Sequence, residues 1–170
     1  MDILHFAPEA HLSRLIAQAA PKSYRKADLY PAAADIERID LLAIPCVEKS
    51  FDLILANHVL EHVPDDLAAL REIRRVLRPG GYAILQTPFS AKLIRTWADP
   101  GIDTDAARLQ AYGQEDHVRL FGRDIFDRIV SAGFVACGGS HEALLPHWNA
   151  EKYGLNPREP FLLFRRPEEG

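Results

Sequence analysis

The segment FDLILA, Phe51 to Ala56, is a nearly continuous apolar run. Such runs are typical of parallel strands covered on both faces. Further apolar segments, DILHF, ERIDLLAIP and YAILQTP, lie on either side of it. ERIDLLAIP is expected to contain a short strand that ends near Asp40, and SYRKADLY is a weaker candidate strand. Stretches with apolar residues at helical spacing separate several of these segments. In the clearest one Asp65 is the predicted N-cap, PGG at 79–81 ends the helix, and the apolar stripe consists of Leu67, Leu70, Ile73 and Leu77. The alternation implies right-handed crossovers and a Rossmann-like, doubly wound, mostly parallel α/β sheet with helices on both faces.

The chain length and composition suit one soluble domain. At 170 residues, with 48% hydrophobic and 26% charged residues, residues 1–170 are expected to form one core. No apolar stretch is long enough to cross a bilayer, so we expect a cytoplasmic protein without membrane contact. The net charge of −4 gives no basic surface for nucleic acid. Cys46 and Cys137 belong to no CxxC motif and are expected to be reduced, buried thiols.

Polar residues follow the predicted strands at the edge where open parallel sheets bind ligands. They are Glu9, Asp28, Asp40 and the pair Asn57 and His58. Asp28 lies 21 residues after Ala7 (28 − 7), near the spacing of about 20 at which an acidic residue meets ribose hydroxyls in nucleotide-binding units. A turn or cap role for Asp28 is the alternative.

The first turn, within ILHFAPEAHL, restricts the type of ligand. Ala7 carries a Cβ, Pro8 has no N–H, and Glu9 places a negative charge at the helix start. A pyrophosphate would find few donors and a repelling carboxylate there. A ligand with a ribose, cationic groups and no phosphate fits better, and S-adenosylmethionine is such a ligand. Compensation of the helix dipole by Glu9 remains an alternative.

The block IDLLAIPCVEKSFDLILANHVLEHVPDDLAALREIRRVLRPGGYAILQTP, Ile39 to Pro88, resembles class I S-adenosylmethionine-dependent methyltransferases of the small-molecule type. It contains in the family's order an Asp followed by an apolar-Pro pair, then FDLI, LEHV and RVLRPGG. The resemblance implies S-adenosylmethionine as the cofactor and a seven-stranded sheet whose last strand is antiparallel. FLLFRR is a matching candidate for that last strand.

Carried over position by position, the resemblance implies a set of cofactor-binding residues. The first turn would hold the methionyl part of the cofactor. One acidic residue and the residue after it would bind the ribose, and a second such pair would bind the adenine. Two polar residues would lie near the sulfonium. In that order they are Phe6, Ala7, Pro8, Glu9, Asp28, Leu29, Asp40, Leu41, Asn57 and His58. The first motif departs from the family, because His5 stands at the usual acidic position and the turn lacks glycine.

Methyl transfer to a small molecule needs an aligned acceptor and, for oxygen or nitrogen acceptors, removal of a proton. His62 and His117 are the candidates for that task, with a purely structural role as the alternative. A catalytically inactive binding or interaction module with the same fold is the main rival function. The open cofactor edge also suggests a homodimer.

HVLEH, His58 to His62, matches the H-x-x-E-H pattern of inverted zinc peptidases. A zinc hydrolase using His58, Glu61 and His62 is therefore a remote alternative. Such a site needs a sustained helix, which the preceding strand and Pro64 leave little room for. We accordingly expect no metal ligands.

Overall fold

The structure is a computed structural model that describes residues 1–144, 152 and 160–169. Its elements alternate between strands and helices along most of the chain. In chain order they are β1 (Asp2–Phe6), α1 (Ala10–Gln18), β2 (Ser23–Asp28), β3 (Glu37–Arg38), β4 (Phe51–Ala56), α2 (Asp66–Val76), β5 (Leu77–Ile84), α3 (Asp105–Tyr112), α4 (Ile125–Ser131), β6 (Val135–Ala136), α5 (His141–Leu144) and β7 (Leu163–Arg165).

The strands form one seven-stranded sheet in the order β3-β2-β1-β4-β5-β7-β6. The first five strands pair in parallel, whereas β7 is antiparallel to both β5 and β6. The mixed Rossmann-like fold and the antiparallel last strand predicted from the sequence are therefore confirmed. Strand order reverses between β1 and β4, so right-handed crossovers place α1 and α2 on opposite faces of the sheet.

The central strands are buried because helices and loops cover them. Leu4 of β1 and Ile54 of β4 are fully inaccessible, and Leu70 and Ile73 of α2 complete this part of the core. Asp65 caps α2 by accepting a hydrogen bond from the Ala68 N–H at 2.9 Å. The apolar stripe and the cap read from the sequence therefore position α2 as predicted.

One helix end was predicted wrongly, and one short strand ends two residues before its expected end. The helix predicted to continue to the PGG turn ends at Val76, because Leu77 already pairs with Phe51 in the sheet. The strand predicted to end near Asp40 is short and ends at Arg38. Sheet pairing set both boundaries, and local sequence patterns do not reveal it.

The two cysteines are free, in agreement with the expectation of no disulfide. Both are half-buried rather than buried. The Sγ atom of Cys46 accepts a hydrogen bond from Arg25 Nη1 at 3.0 Å. In the part of the chain that the structure describes, no helix has the length and apolarity to cross a membrane. Most of the segment HEALLPHWNAEKYGL lies outside the described residues.

Candidate functional site

The turn between β1 and α1 has a backbone conformation that favours glycine. Ala7 has a φ of 45°, in the left-handed region where a Cβ costs about 1–2 kcal/mol. The Ala7 N–H donates to the Ala27 carbonyl at 2.9 Å and so continues the hydrogen bonding between β1 and β2. Pro8 follows with no N–H. The chain thus forms the sharp strand-to-helix turn without glycine, and Ala7 is strained as a result.

The side chain of His5, in β1, holds this turn through a contact with Glu9. It is fully buried, and its Nε2 lies 2.8 Å from Glu9 Oε2. A carboxylate only accepts hydrogen bonds, so Nε2 carries the proton and donates. Burial lowers the pKa of His5, although the Glu9 carboxylate opposes this shift. The ring is therefore neutral at neutral pH, and the pair retains the negative charge of Glu9.

Asn57, at the end of β4, contacts the other oxygen of the same carboxylate. Its Nδ2 donates to Glu9 Oε1 at 3.2 Å. Its Oδ1 is buried and has no hydrogen-bond partner among the described residues. An unsatisfied buried acceptor costs about 1–3 kcal/mol. Glu9 forms no ion pair with a lysine or arginine of the described chain, so this corner of the turn combines negative charge with an unused acceptor.

Asp28 is the last residue of β2 and Asp40 lies two residues after β3, and both side chains are held in the same way. Oδ1 of Asp28 accepts from the Tyr30 N–H, and Oδ1 of Asp40 accepts from the Leu42 N–H, each at 2.8 Å. These Asx turns fix the orientation of both carboxylates. In the described part of the chain neither side chain makes a further hydrogen bond or ion pair. One oxygen of each carboxylate therefore remains available to a ligand.

A cleft of about 630 Å³ opens at this edge of the sheet, where the strand order reverses. This is the position at which open α/β sheets bind ligands. Eight of the predicted site residues line it, namely Phe6, Ala7, Asp28, Leu29, Asp40, Leu41, His58 and His62. The other four, Pro8, Glu9, Asn57 and His117, are not among the lining residues.

The two candidate catalytic histidines lie together at one end of the cleft. Their rings meet edge to face, with centroids 4.7 Å apart. His62 lines the cleft and its Nδ1 is 3.2 Å from Asp116 Oδ2. His117 is buried behind it, with Nδ1 3.3 Å from the Tyr112 carbonyl oxygen. The fold therefore brings together two residues that are 55 positions apart in the sequence (117 − 62).

The H-x-x-E-H segment does not form the helix of a zinc peptidase. Residues 57–63 form turns, and α2 begins only at Asp66. The His58 side chain is largely exposed, and its Nδ1 lies 3.6 Å from Glu61 Oε1. The two histidines of this motif therefore do not face one another across a helical turn.

Several lining residues carry no sequence signal that would have identified them. Tyr30, Arg108 and Asp116 line the cleft from loops and from α3, where the sequence shows no strong periodicity. The adjacency of Asp116 to the candidate His117 is the signal that could have identified this acid. The remaining residues missed are apolar or proline wall residues, namely Ile39, Leu42, Val59, Val63, Pro64 and Val118.

Comparison with known proteins agrees with this geometry. Residues 10–85 match the family described as "Methyltransferase domain". A malonyl-[acyl-carrier protein] O-methyltransferase from Halorhodospira halophila is 30% identical over 135 residues, which cover 67% of this chain and 42% of that protein. An uncharacterized 37.1 kDa transposon protein from Streptomyces fradiae is 32% identical over 103 residues, covering 61% of this chain and 26% of that protein. The chain thus spans less than half the length of these relatives.

The fold also matches solved structures over nearly its full length. An S-adenosylmethionine-dependent methyltransferase from Mesorhizobium loti aligns with a TM-score of 0.62 and 18% identity, covering 97% of this chain and 90% of the other. The sequence match over residues 10–85 lies within this shared fold. The sequence match over residues 10–85 and the shared fold together identify a methyltransferase domain, and this family and fold imply S-adenosylmethionine as the methyl donor.

Proposed function

We propose that the protein transfers the methyl group of S-adenosylmethionine to a small-molecule acceptor. The observation that carries this proposal is the pair of oriented carboxylates, Asp28 and Asp40, each with one unpaired oxygen in the same cleft. When bound, S-adenosylmethionine supplies an electrophilic methyl group on a sulfonium. The residues of this chain have to bind the nucleoside, hold the methionyl end and present the acceptor.

Asp28 and Asp40 suit the two hydrogen-bonding parts of an adenosine. A carboxylate oxygen at the end of β2 accepts well from ribose hydroxyls, and we assign Asp28 to this role with Leu29 beside it. Asp40 would accept from the adenine amino group. The neighbouring Leu41 is buried and lines the cleft, which provides an apolar surface for the flat base.

Glu9 suits the cationic methionyl end. Its charge is retained because its histidine partner is neutral, and the unsatisfied Asn57 Oδ1 lies in the same corner of the fold. An ammonium group would supply the positive charge that Glu9 lacks and a hydrogen-bond donor for Asn57 Oδ1. The sulfonium would then lie near His58, which follows β4 and lines the cleft.

His62 and His117 lie at the acceptor end in this arrangement. The contact between His62 Nδ1 and Asp116 orients the imidazole, and this is the arrangement of a general base toward a hydroxyl or amine. An oxygen acceptor is the first choice, since the Halorhodospira halophila relative is named as an O-methyltransferase.

Calorimetric titration with S-adenosylmethionine and S-adenosylhomocysteine tests the proposal. We expect both to bind, and Asp28→Asn to weaken binding about 5- to 150-fold, which corresponds to about 1–3 kcal/mol. Asp127→Asn on α4 is the matched control, because this exposed residue does not line the cleft. Absence of binding by either compound at millimolar concentration would overturn the proposal.

An inactive binding module is the second candidate, and the strained Ala7-Pro8 turn is the observation that favours it. Tight cofactor binding without methyl transfer to any of a broad set of acceptors would support this alternative.

A cytoplasmic location and a homodimer across the open cleft edge also stay predictions. Sedimentation equilibrium measures the mass in solution directly.

A further inference from the structure

We propose that Glu61, His62 and His117 form a binding site for a divalent transition-metal ion at the acceptor end of the cleft. Each offers one ligand atom, and the three atoms lie within 4.8 Å of one another. Glu61 and His62 belong to the turn after β4, and His117 belongs to the loop after α3. This set replaces our expectation of no metal ligands, and it differs from the H-x-x-E-H arrangement because His117 takes the place of His58.

The hydrogen bonds around the three side chains are those that metal ligands need. Nδ1 of His62 contacts Asp116, and Nδ1 of His117 contacts the Tyr112 carbonyl. If each Nδ1–H donates to its oxygen partner, each Nε2 carries a lone pair. Histidines that bind metals nearly always donate their other ring N–H to a carboxylate or a carbonyl. The contacts of the two Nδ1 atoms therefore favour the tautomers in which Nε2 can bind a cation.

Glu61 supplies the negative charge of the site. Only 1% of its surface is exposed, and its Oε2 accepts a hydrogen bond from the Thr87 hydroxyl at 2.6 Å. No lysine or arginine of the described chain forms an ion pair with it, and His58 is its nearest ionisable partner, at 3.6 Å. A buried carboxylate without a strong counter-charge is costly. A divalent cation would supply that charge.

The spacing of the ligand atoms requires only small side-chain movements. A tetrahedral cation with bonds of about 2.0–2.1 Å needs ligand atoms about 3.3 Å apart. The ligand atoms are now at most 4.8 Å apart, and side-chain movements of roughly 1 Å would bring them to this distance. Two imidazoles and one carboxylate favour Zn²⁺, Fe²⁺ or Mn²⁺ over Mg²⁺, which prefers oxygen ligands.

The site has a defined place in the proposed reaction, and this step rests on the proposed function. Three protein ligands leave a coordination position open. Of the three ligands His62 lines the cleft, whereas Glu61 and His117 are buried behind it, so we place the open position on the His62 side, toward the space for the acceptor. An acceptor with a hydroxyl or carboxylate oxygen would bind the ion there. His62 is then a ligand and not the general base, and the ion would favour the deprotonated form of a hydroxyl, whose proton passes to water. The structure thus points to an oxygen acceptor that chelates a metal.

Calorimetric titration of chelator-treated protein with Zn²⁺ and Mn²⁺, and with Mg²⁺ for comparison, tests the site without any acceptor. We expect one transition-metal ion per chain and much weaker Mg²⁺ binding. His117→Ala and Glu61→Gln should each lower the affinity more than Asp116→Asn, for which we expect a loss of about 10- to 100-fold. His11→Ala, on the exposed face of α1, is the matched histidine control and should leave binding unchanged.

The same samples are titrated with S-adenosylhomocysteine to separate the two proposals. Normal nucleoside binding by His117→Ala, together with lost metal binding, supports the metal site and shows that the variant is folded. Wild-type protein that binds the nucleoside but no transition metal overturns the metal site alone. Equal metal affinity of the wild type and both ligand variants also overturns it, because the ion then binds elsewhere.

Discussion

Ala7 carries the main departure of this chain from a glycine-containing cofactor turn. Its φ of 45° is tolerated because the Ala7 N–H is held by the Ala27 carbonyl and because Pro8 has a fixed backbone. Alanine in place of glycine at this position therefore changes the stability of the turn, but the turn still forms. The strain at Ala7 can be measured.

We expect Ala7→Gly to leave the free energy of unfolding unchanged or to raise it by up to about 1 kcal/mol. Relief of the left-handed strain offsets the greater entropy of glycine in the unfolded chain. Denaturant titration provides the measurement. Ala17→Gly in α1 is the control and should lower stability by about 1 kcal/mol, because its backbone is helical. An equal loss at both positions would contradict the strain at Ala7.

His5 predicts how stability changes with pH. Because its pKa is lowered by burial, the unfolded chain takes up the proton first as the pH falls below about 6.5. Stability should therefore decrease as the pH falls below about 6.5, by at most about 1.4 kcal/mol per pH unit for this one group. His5→Gln should flatten this part of the profile in urea titrations. An unchanged slope would show that His5 is not the group responsible.

Individual residues differ in how well the sequence predicted their position. Asp28 was found from its distance to the first turn, since that spacing reflects a strand-helix-strand unit of regular length. Asp116 was missed because it reaches the cleft from a loop, whose path depends on tertiary packing. Glu61 appeared in the sequence only within the LEHV and H-x-x-E-H motifs, and the fold gives it neighbours that neither motif contains.

At the scale of elements, Asp66 ties the start of α2 to the loop that carries His117. Arg128 of α4 binds both oxygens of this carboxylate at 2.7 Å, and Arg119 forms a close ion pair with it. Arg119 also donates to the carbonyls of Val63 and Pro64. Burial alone would raise the pKa of Asp66, but the two guanidiniums hold it below its usual value. The network connects the two segments that carry the histidines.

Asp66→Asn should destabilise the protein by about 3–5 kcal/mol, because two guanidiniums lose their buried counter-charge. Asp65→Ala removes only the helix cap and should cost about 1 kcal/mol. Denaturant titration of the two neighbouring variants measures the difference. A similar small loss for both would show that the ion-pair network adds little to the stability of the fold.

The helices and long strands were predictable at this scale because their signals are local. Caps and apolar stripes set the start of α2, and the continuous apolar run identified β4. The end of α2 was not predictable, because Leu77 leaves the helix to pair with Phe51 far away in the sequence. Short β3 has only two residues, too few for a periodic pattern.

For the whole molecule, the reversal of strand order between β1 and β4 determines where the cleft forms. Polar residues after several strands meet there because parallel strands end at the same edge. Sequence order alone predicted this meeting point. The acceptor end was less predictable, since it needs the loop after α3 to fold back onto the turn after β4, where the Val118 N–H donates to the Glu61 carbonyl.

Nucleoside binding should stabilise the whole fold. At a concentration of 100 times the dissociation constant, S-adenosylhomocysteine should add about 2.7 kcal/mol, which raises the melting temperature by roughly 5–11 °C for a chain of this length. Scanning fluorimetry measures the shift. Asp28→Asn should show a clearly smaller shift at the same concentration, and an identical shift would place the ribose elsewhere.

A crystal structure of the protein grown with S-adenosylhomocysteine tests the proposed site most directly. We predict that the ribose hydroxyls lie within about 2.5–3.0 Å of the Asp28 carboxylate and that the adenine lies against Leu41, with its amino group toward Asp40. Nucleoside density outside the cleft, or within the cleft but away from both carboxylates, would contradict the binding site proposed for this chain.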